Sequence, residues 1–206
     1  MKFFGTTLDA HLKSAAKLGG LFGLAILING SLLFGTEASA KDAAFIPSIA
    51  ASPPPSGARQ LCGKYSWACA QKGIGSLSTS QELKLVKEIN RRVNRSTREV
   101  TDQSQYKTSE LWALPTSRGG DCEDFALLKK RDLIQAGFDP RKLLLATVLD
   151  TRRNSHAVLV YRSSGGDLVL DNLTNQIKPW KATRYLFLRM QDPKQPARWL
   201  GVYGKS

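Results

Sequence analysis

A change of hydrophobic period partway along the chain most narrows the fold. In two segments between residues 80 and 135, apolar side chains recur every three or four positions, the spacing that gathers them on one face of a helix. From residue 143 onward they come in short continuous or alternating runs, the pattern of strands. Leu83, Val86, Ile89 and Val93 define a helix from residue 80 to about 94, and Thr79 and Glu82 match a capping box at its start. A second helix spans about 122–135, with Phe125, Leu128 and Leu133 as its apolar stripe and Gly137 as its C-terminal cap. Lys129, Lys130 and Arg131 come late in it, where cations suit the negative helix end. Residues 143–149, 156–161 and 167–170 read as strands, the last two joined by the turn Ser163-Ser164-Gly165-Gly166, with further strands at 185–190 and 199–203. Helices followed by antiparallel strands predict an α+β fold with a helix packed on an antiparallel sheet.

The first forty residues read as a secretory leader. Lys2, Lys13 and Lys17 precede or open the apolar stretch 18–34, and Ala38-Ser39-Ala40 supplies a small-residue cleavage site. The stretch is short of the roughly 20 apolar residues of a membrane span and is interrupted by Asn29, Gly30 and Ser31. Residues 1–40 are therefore expected to be a signal peptide, residues 41–78 an extended segment, and residues 79–206 the folded domain. Residues 43–59, with Pro53-Pro54-Pro55, look like a tether. The chain carries a formal charge of +13, and cleavage at Ala40 removes three lysines and two acidic residues, leaving +12. Arg91, Arg92, Arg95 and Arg98 form a dense part of that charge, but no aromatic residues interleave with them. They read as a solvated face or a weak attraction to anionic envelope polymers, and no nucleic-acid partner is expected.

Cys62 and Cys69 suit a small disulfide loop in an oxidising compartment, whereas Cys122 has no evident mate. An unpaired thiol in an exported protein is either buried and inert or reactive. Cys122 stands where the second helix begins, and unpaired N–H groups and the positive end of the macrodipole favour a thiolate there. His11 belongs to the leader, so His156 is the one histidine of the mature chain. A lone histidine on a strand is ordinarily a bland residue, and Asp171 with Asn172 could simply form a turn. The hairpin changes that reading. His156 opens one of its strands and Asp171 closes the other, so antiparallel pairing brings them to one edge, in the order a Cys-His-Asp hydrolase needs. Gly119 and Gly120 permit a tight entry to the helix and close approach of a substrate backbone. The Cys122 N–H, with the Trp112 indole as a second donor or as a packing residue, would meet an oxyanion.

Asp121, Glu123 and Asp124 place three carboxylates beside a group whose anionic form they oppose. Either they follow the common preference for acidic residues in a first helical turn, with Asp121 as N-cap, or they hold a hard cation such as calcium.

The blocks Gly119-Gly120-Asp121-Cys122-Glu123-Asp124-Phe125-Ala126, Ser155-His156-Ala157-Val158-Leu159 and Leu170-Asp171-Asn172 together resemble the bacterial transglutaminase-like cysteine proteinases over roughly residues 80–205. The resemblance implies a papain-like or transglutaminase-like core with Cys122, His156 and Asp171 as its triad. It implies a periplasmic, calcium-dependent protease that clips the N-terminal region of a large surface adhesin, often between small residues. It also implies an inner-membrane receptor that senses cyclic di-GMP as a partner. Asp121 and Glu123 would be linked to calcium, with Asp124 a further ligand. The Cys62/Cys69 pair takes no role from the family. Two rival readings share these residues: an acyl transferase or amidase that resolves the same thioester with an amine, and a catalytically silent calcium-binding envelope module.

Overall fold

The structure is a computed structural model that describes residues 44–73 and 75–205; the expected leader, its cleavage site and His11 lie outside the described residues. Among the described residues no helix is long and apolar enough to cross a membrane. Among the described residues four α-helices, α1 (Leu61–Lys64), α2 (Thr79–Ser96), α3 (Asp102–Tyr106) and α4 (Cys122–Gln135), precede most of a seven-stranded sheet. Its strands are β1 (Ala50–Ser52), β2 (Leu143–Leu149), β3 (Ser155–Ser163), β4 (Gly166–Leu170), β5 (Lys178–Pro179), β6 (Leu186–Gln191) and β7 (Trp199–Lys205). They lie in the order β1-β7-β6-β2-β3-β4-β5 with every pairing antiparallel. The α+β expectation holds.

Both faces of the sheet are buried, and the strand period divides them. Leu143, Leu145, Leu159 and Tyr161 pack with Val86, Ile89 and Val93 of α2 and Phe125, Leu127 and Leu133 of α4. The alternate residues Leu144, Ala146, Val158, Val160 and Val169 face the other way, against Phe187, Trp180 and Ile46. This two-sided burial explains why 143–149 reads as a continuous apolar run. Leu127 is fully buried, so Leu127→Ala carries a cost of roughly 2–5 kcal/mol.

The two long helices start and stop for local reasons. α4 occupies the expected span and ends in a Schellman turn, with Gly137 at φ 97°, the Phe138 N–H on the Leu133 carbonyl (3.1 Å) and the Gly137 N–H on that of Ile134 (3.0 Å). α2 begins one residue earlier than expected, because Ser78 and Gln81, rather than Thr79 and Glu82, form the capping box. Glu82 is instead buried, accepting from Lys142 Nζ at 2.6 Å and Tyr161 Oη at 2.5 Å and tying α2 to the sheet.

The segment expected as a tether joins the domain. Ile46 is buried, its N–H donates to Asp167 Oδ2 at 2.8 Å, and β1 pairs with β7. Asp167 is fixed in turn by Arg162 at 2.9 Å, and the Arg162 guanidinium lies 5.3 Å from the centre of the Phe45 ring. Cys62 and Cys69 form a disulfide, and their loop is anchored by Gln191 Nε2 on the Ala68 carbonyl at 3.2 Å. Lys129 and Lys130 do not serve the helix end. They point inward, 1% and 0% exposed, and Lys130 Nζ donates to Gln191 Oε1 at 2.6 Å. Burial lowers both ammonium groups from 10.5 to about 7.

Candidate active site

The β3–β4 hairpin sets the geometry of the site. Its register pairs Leu159 with Leu170 and Ser163 with Gly166, so His156 and Asp171 come together diagonally at the end away from the turn. His156 Nε2 lies 2.9 Å from Asp171 Oδ1, with the two side chains 7% and 4% exposed. Asp171 is further held by the Leu173 N–H on Oδ1 (3.0 Å) and by Tyr185 Oη on Oδ2 (2.6 Å), and the Tyr185 ring stands edge-on to the imidazole at 5.9 Å. Burial pulls the Asp171 carboxyl upward, but the bonds from His156, Tyr185 and Leu173 outweigh it, and the net shift is downward. With Nε2 engaged, Nδ1 is the nitrogen left for proton transfer.

Cys122 is the first residue of α4, half-buried, and it shares a cleft of about 320 Å³ with His156. The Ala157 N–H, next to His156 on β3, bonds toward its sulfur and favours the thiolate. Stronger influences oppose it. Burial raises the thiol, and so do the charge of Glu123, the 3.2 Å bond that Sγ donates to Glu123 Oε2, and the charge of Asp121. Burial first, and these carboxylates after it, thus override the help expected from the helix start.

Those carboxylates gather with one more that the sequence reading did not include. Asp102, Asp121 and Glu123 each present an oxygen within 4.8 Å of the others. Asp121 occupies the N-cap position of α4 without capping it; its Oδ2 accepts from the Asp102 N–H at 3.1 Å. Asp102 Oδ1 and Asp121 Oδ1 are buried without a hydrogen-bond partner. Burial raises Asp102 and Glu123, and their acidic neighbours add to it. Asp124 lies outside this cluster. Its Oδ1 accepts from the Ala113 N–H at 2.9 Å, Oδ2 is without a partner, and burial brings it to about 7. Three converging carboxylates, two of them with an orphaned hard oxygen, fit a calcium ion. The signal for Asp102 was its place in the unusually long polar connection 95–118, where Thr101 caps a short helix.

Two other expectations change. Trp112 is 2% exposed, packs edge-on against Trp199 at 5.6 Å and donates its indole N–H to Glu110 Oε1 at 2.9 Å, so it is a packing residue. Gly119 and Gly120 make their close approach within the chain. A Cβ on Gly119, at φ 123°, would stand 2.1 Å from the Arg98 carbonyl oxygen, and one on Gly120 would stand 2.4 Å from Asp124 Oδ2.

Comparison with known proteins agrees with this geometry. Residues 48–206 match the bacterial transglutaminase-like cysteine proteinase family (BTLCP). No curated protein matches the chain. The calcium-bound structure of LapG from Legionella pneumophila superposes with a TM-score of 0.50 at 22% identity, covering 60% of this chain and 71% of that one, and so shares its fold. A second LapG structure gives 0.47 at 24% identity over 60% and 70% of the two chains, and an EGTA-treated one gives 0.44 at 22% over 68% and 83%. A thiol at a helix start, an imidazole–carboxylate pair across a hairpin and a family match over most of the chain lead to one assignment: this protein belongs to the bacterial transglutaminase-like cysteine proteinases and is a cysteine peptidase.

Proposed function

We propose that the protein is an exported, calcium-dependent endopeptidase in which Cys122, His156 and Asp171 form the catalytic triad. The observation that carries this reading is the 2.9 Å contact between His156 Nε2 and Asp171 Oδ1, with His156 lining the same cleft as Cys122. His156 Nδ1 takes the thiol proton, and the sulfur attacks a peptide carbonyl. The carbonyl oxygen, now anionic, lies at the start of α4, where the Cys122 N–H has no intrahelical acceptor. Collapse of the tetrahedral adduct expels the amine, which His156 protonates, and leaves a thioester. Water, deprotonated by His156, then hydrolyses the thioester and restores the thiol. Asp171 holds the imidazole in the required tautomer throughout.

Asp102, Asp121 and Glu123 are the residues that would hold calcium. A bound cation supplies positive charge there, countering the carboxylates that now oppose the Cys122 thiolate. Support comes from the two orphaned oxygens, from the family resemblance and from a structural relative described as calcium-bound. By that resemblance the substrate is a surface or periplasmic protein, such as the N-terminal region of a large adhesin, and a cyclic di-GMP receptor at the inner membrane is a partner. Location in the periplasm follows from the leader-like residues 1–40. The test is cleavage of secreted and surface proteins by wild-type protein and by Cys122→Ala, with and without chelator, read by fragment mass. Loss in Cys122→Ala and on chelation is expected. Unchanged cleavage by Cys122→Ala would refute the nucleophile, and a joined product lacking ammonia would replace hydrolysis with acyl transfer.

A further inference from the structure

We infer that Arg189 forms a subsite beside the nucleophile that accepts an acidic side chain of the substrate; this rests on Cys122 being the nucleophile. Arg189 lies on β6 opposite Thr147 of β2. Both ladders of β6 shift register at this point: toward β2 the pairing steps from Phe187 with Val148 to Arg189 with Thr147, and toward β7 from Phe187 with Gly204 to Arg189 with Gly201. In a regular strand, consecutive side chains point to opposite faces, and a bulge breaks that alternation. Leu188 and Arg189 accordingly both line the cleft that holds Cys122 and His156.

The Arg189 side chain is half-buried and, among the described residues, makes no ion pair. The planar fork of its guanidinium matches a carboxylate with two parallel hydrogen bonds. Leu188, Val148 and Pro55 give the same cleft apolar walls that shed water around such a contact. Glu110 and Glu123 line this cleft as well, and the adjoining groove, which shares Cys122 and His156 with it, carries Glu99, Asp102, Asp121 and Asp150 against Arg152 and Lys178. Arg189 is the one cation among the described residues lining its cleft, so it is where an acidic side chain of a bound peptide is held.

The experiment digests a proteome-derived peptide library with the full protein in calcium and reads the cleaved bonds by mass spectrometry. Wild-type protein is expected to select Asp or Glu over Asn or Gln by about 10- to 100-fold at one position within a few residues of the cut, the range of a charge-assisted contact. Arg189→Gln should erase that preference while still cleaving, Arg189→Lys should restore part of it, and Arg189→Glu should turn it toward Lys and Arg. Absence of any acidic preference in wild-type protein, or its persistence in Arg189→Gln, overturns the subsite while leaving the peptidase reading intact. A library left uncut by wild-type protein, or cut equally by Cys122→Ala, overturns the nucleophile assignment and the subsite with it.

Discussion

Replacing Lys130 by Met should stabilise the protein at neutral pH, by an amount the structure specifies. Lys130 is 0% exposed, and its pKa falls from 10.5 in an unfolded chain to about 7 in the folded one because burial penalises the ammonium. At about 1.4 kcal/mol per pH unit, that difference corresponds to about 5 kcal/mol held against the folded state when the group is protonated in both. Between pH 7 and 10.5 the unfolded chain binds the extra proton, so wild-type stability gains this contribution as pH rises; below pH 7 the full penalty applies. Met fills a similar volume without the charge. Gln191 Oε1, which loses the lysine donor, keeps the Leu145 N–H at 3.1 Å, so no buried acceptor is orphaned. Allowing for the lost 2.6 Å hydrogen bond, Lys130→Met is expected to gain about 2–4 kcal/mol at pH 7. Urea denaturation of both proteins at pH 6, 7, 8.5 and 10 reads this directly, since subtraction cancels every other titrating group. A variant less stable than wild type at pH 7, or a difference that does not shrink toward pH 10, refutes the argument.

Tyr185→Phe removes the 2.6 Å hydrogen bond to Asp171 Oδ2 and should lower kcat/KM roughly tenfold, as loss of a bond to a charged group implies. Because that bond helps hold the Asp171 carboxyl below its ordinary value, the acidic limb of the pH–rate profile should move to higher pH; an unmoved limb contradicts the coupling. Asp102→Asn should weaken calcium binding, measured by titration calorimetry, at least tenfold by order of magnitude, and more than Asp124→Asn, whose oxygens lie outside the three-residue cluster. Equal effects would place Asp124 among the ligands. Cys62→Ser with Cys69→Ser opens a short loop and should lower unfolding free energy by about 2–3 kcal/mol, leaving the cleft chemistry unchanged; an inactive but folded variant contradicts that separation.

The sequence by itself determined the local architecture. Apolar spacing gave α4 its full extent, the Ser-Gly turn gave the β3–β4 hairpin, and that hairpin necessarily brings His156 and Asp171 to one edge, because antiparallel register converts sequence separation into adjacency. Cys122 at the helix start was legible for the same short-range reason. Tertiary structure alone decided the rest. Asp102, at the start of α3, reaches Asp121 across a sequence separation of 19, most of it irregular chain, and no periodicity records where such a loop folds back. Lys129 and Lys130 look like helix-end cations until packing turns their face inward. Residues 50–52 become a strand only because β7 offers an unpaired edge. Short-range spacing fixes which face a side chain takes, while burial and charge depend on what arrives opposite that face from elsewhere in the chain.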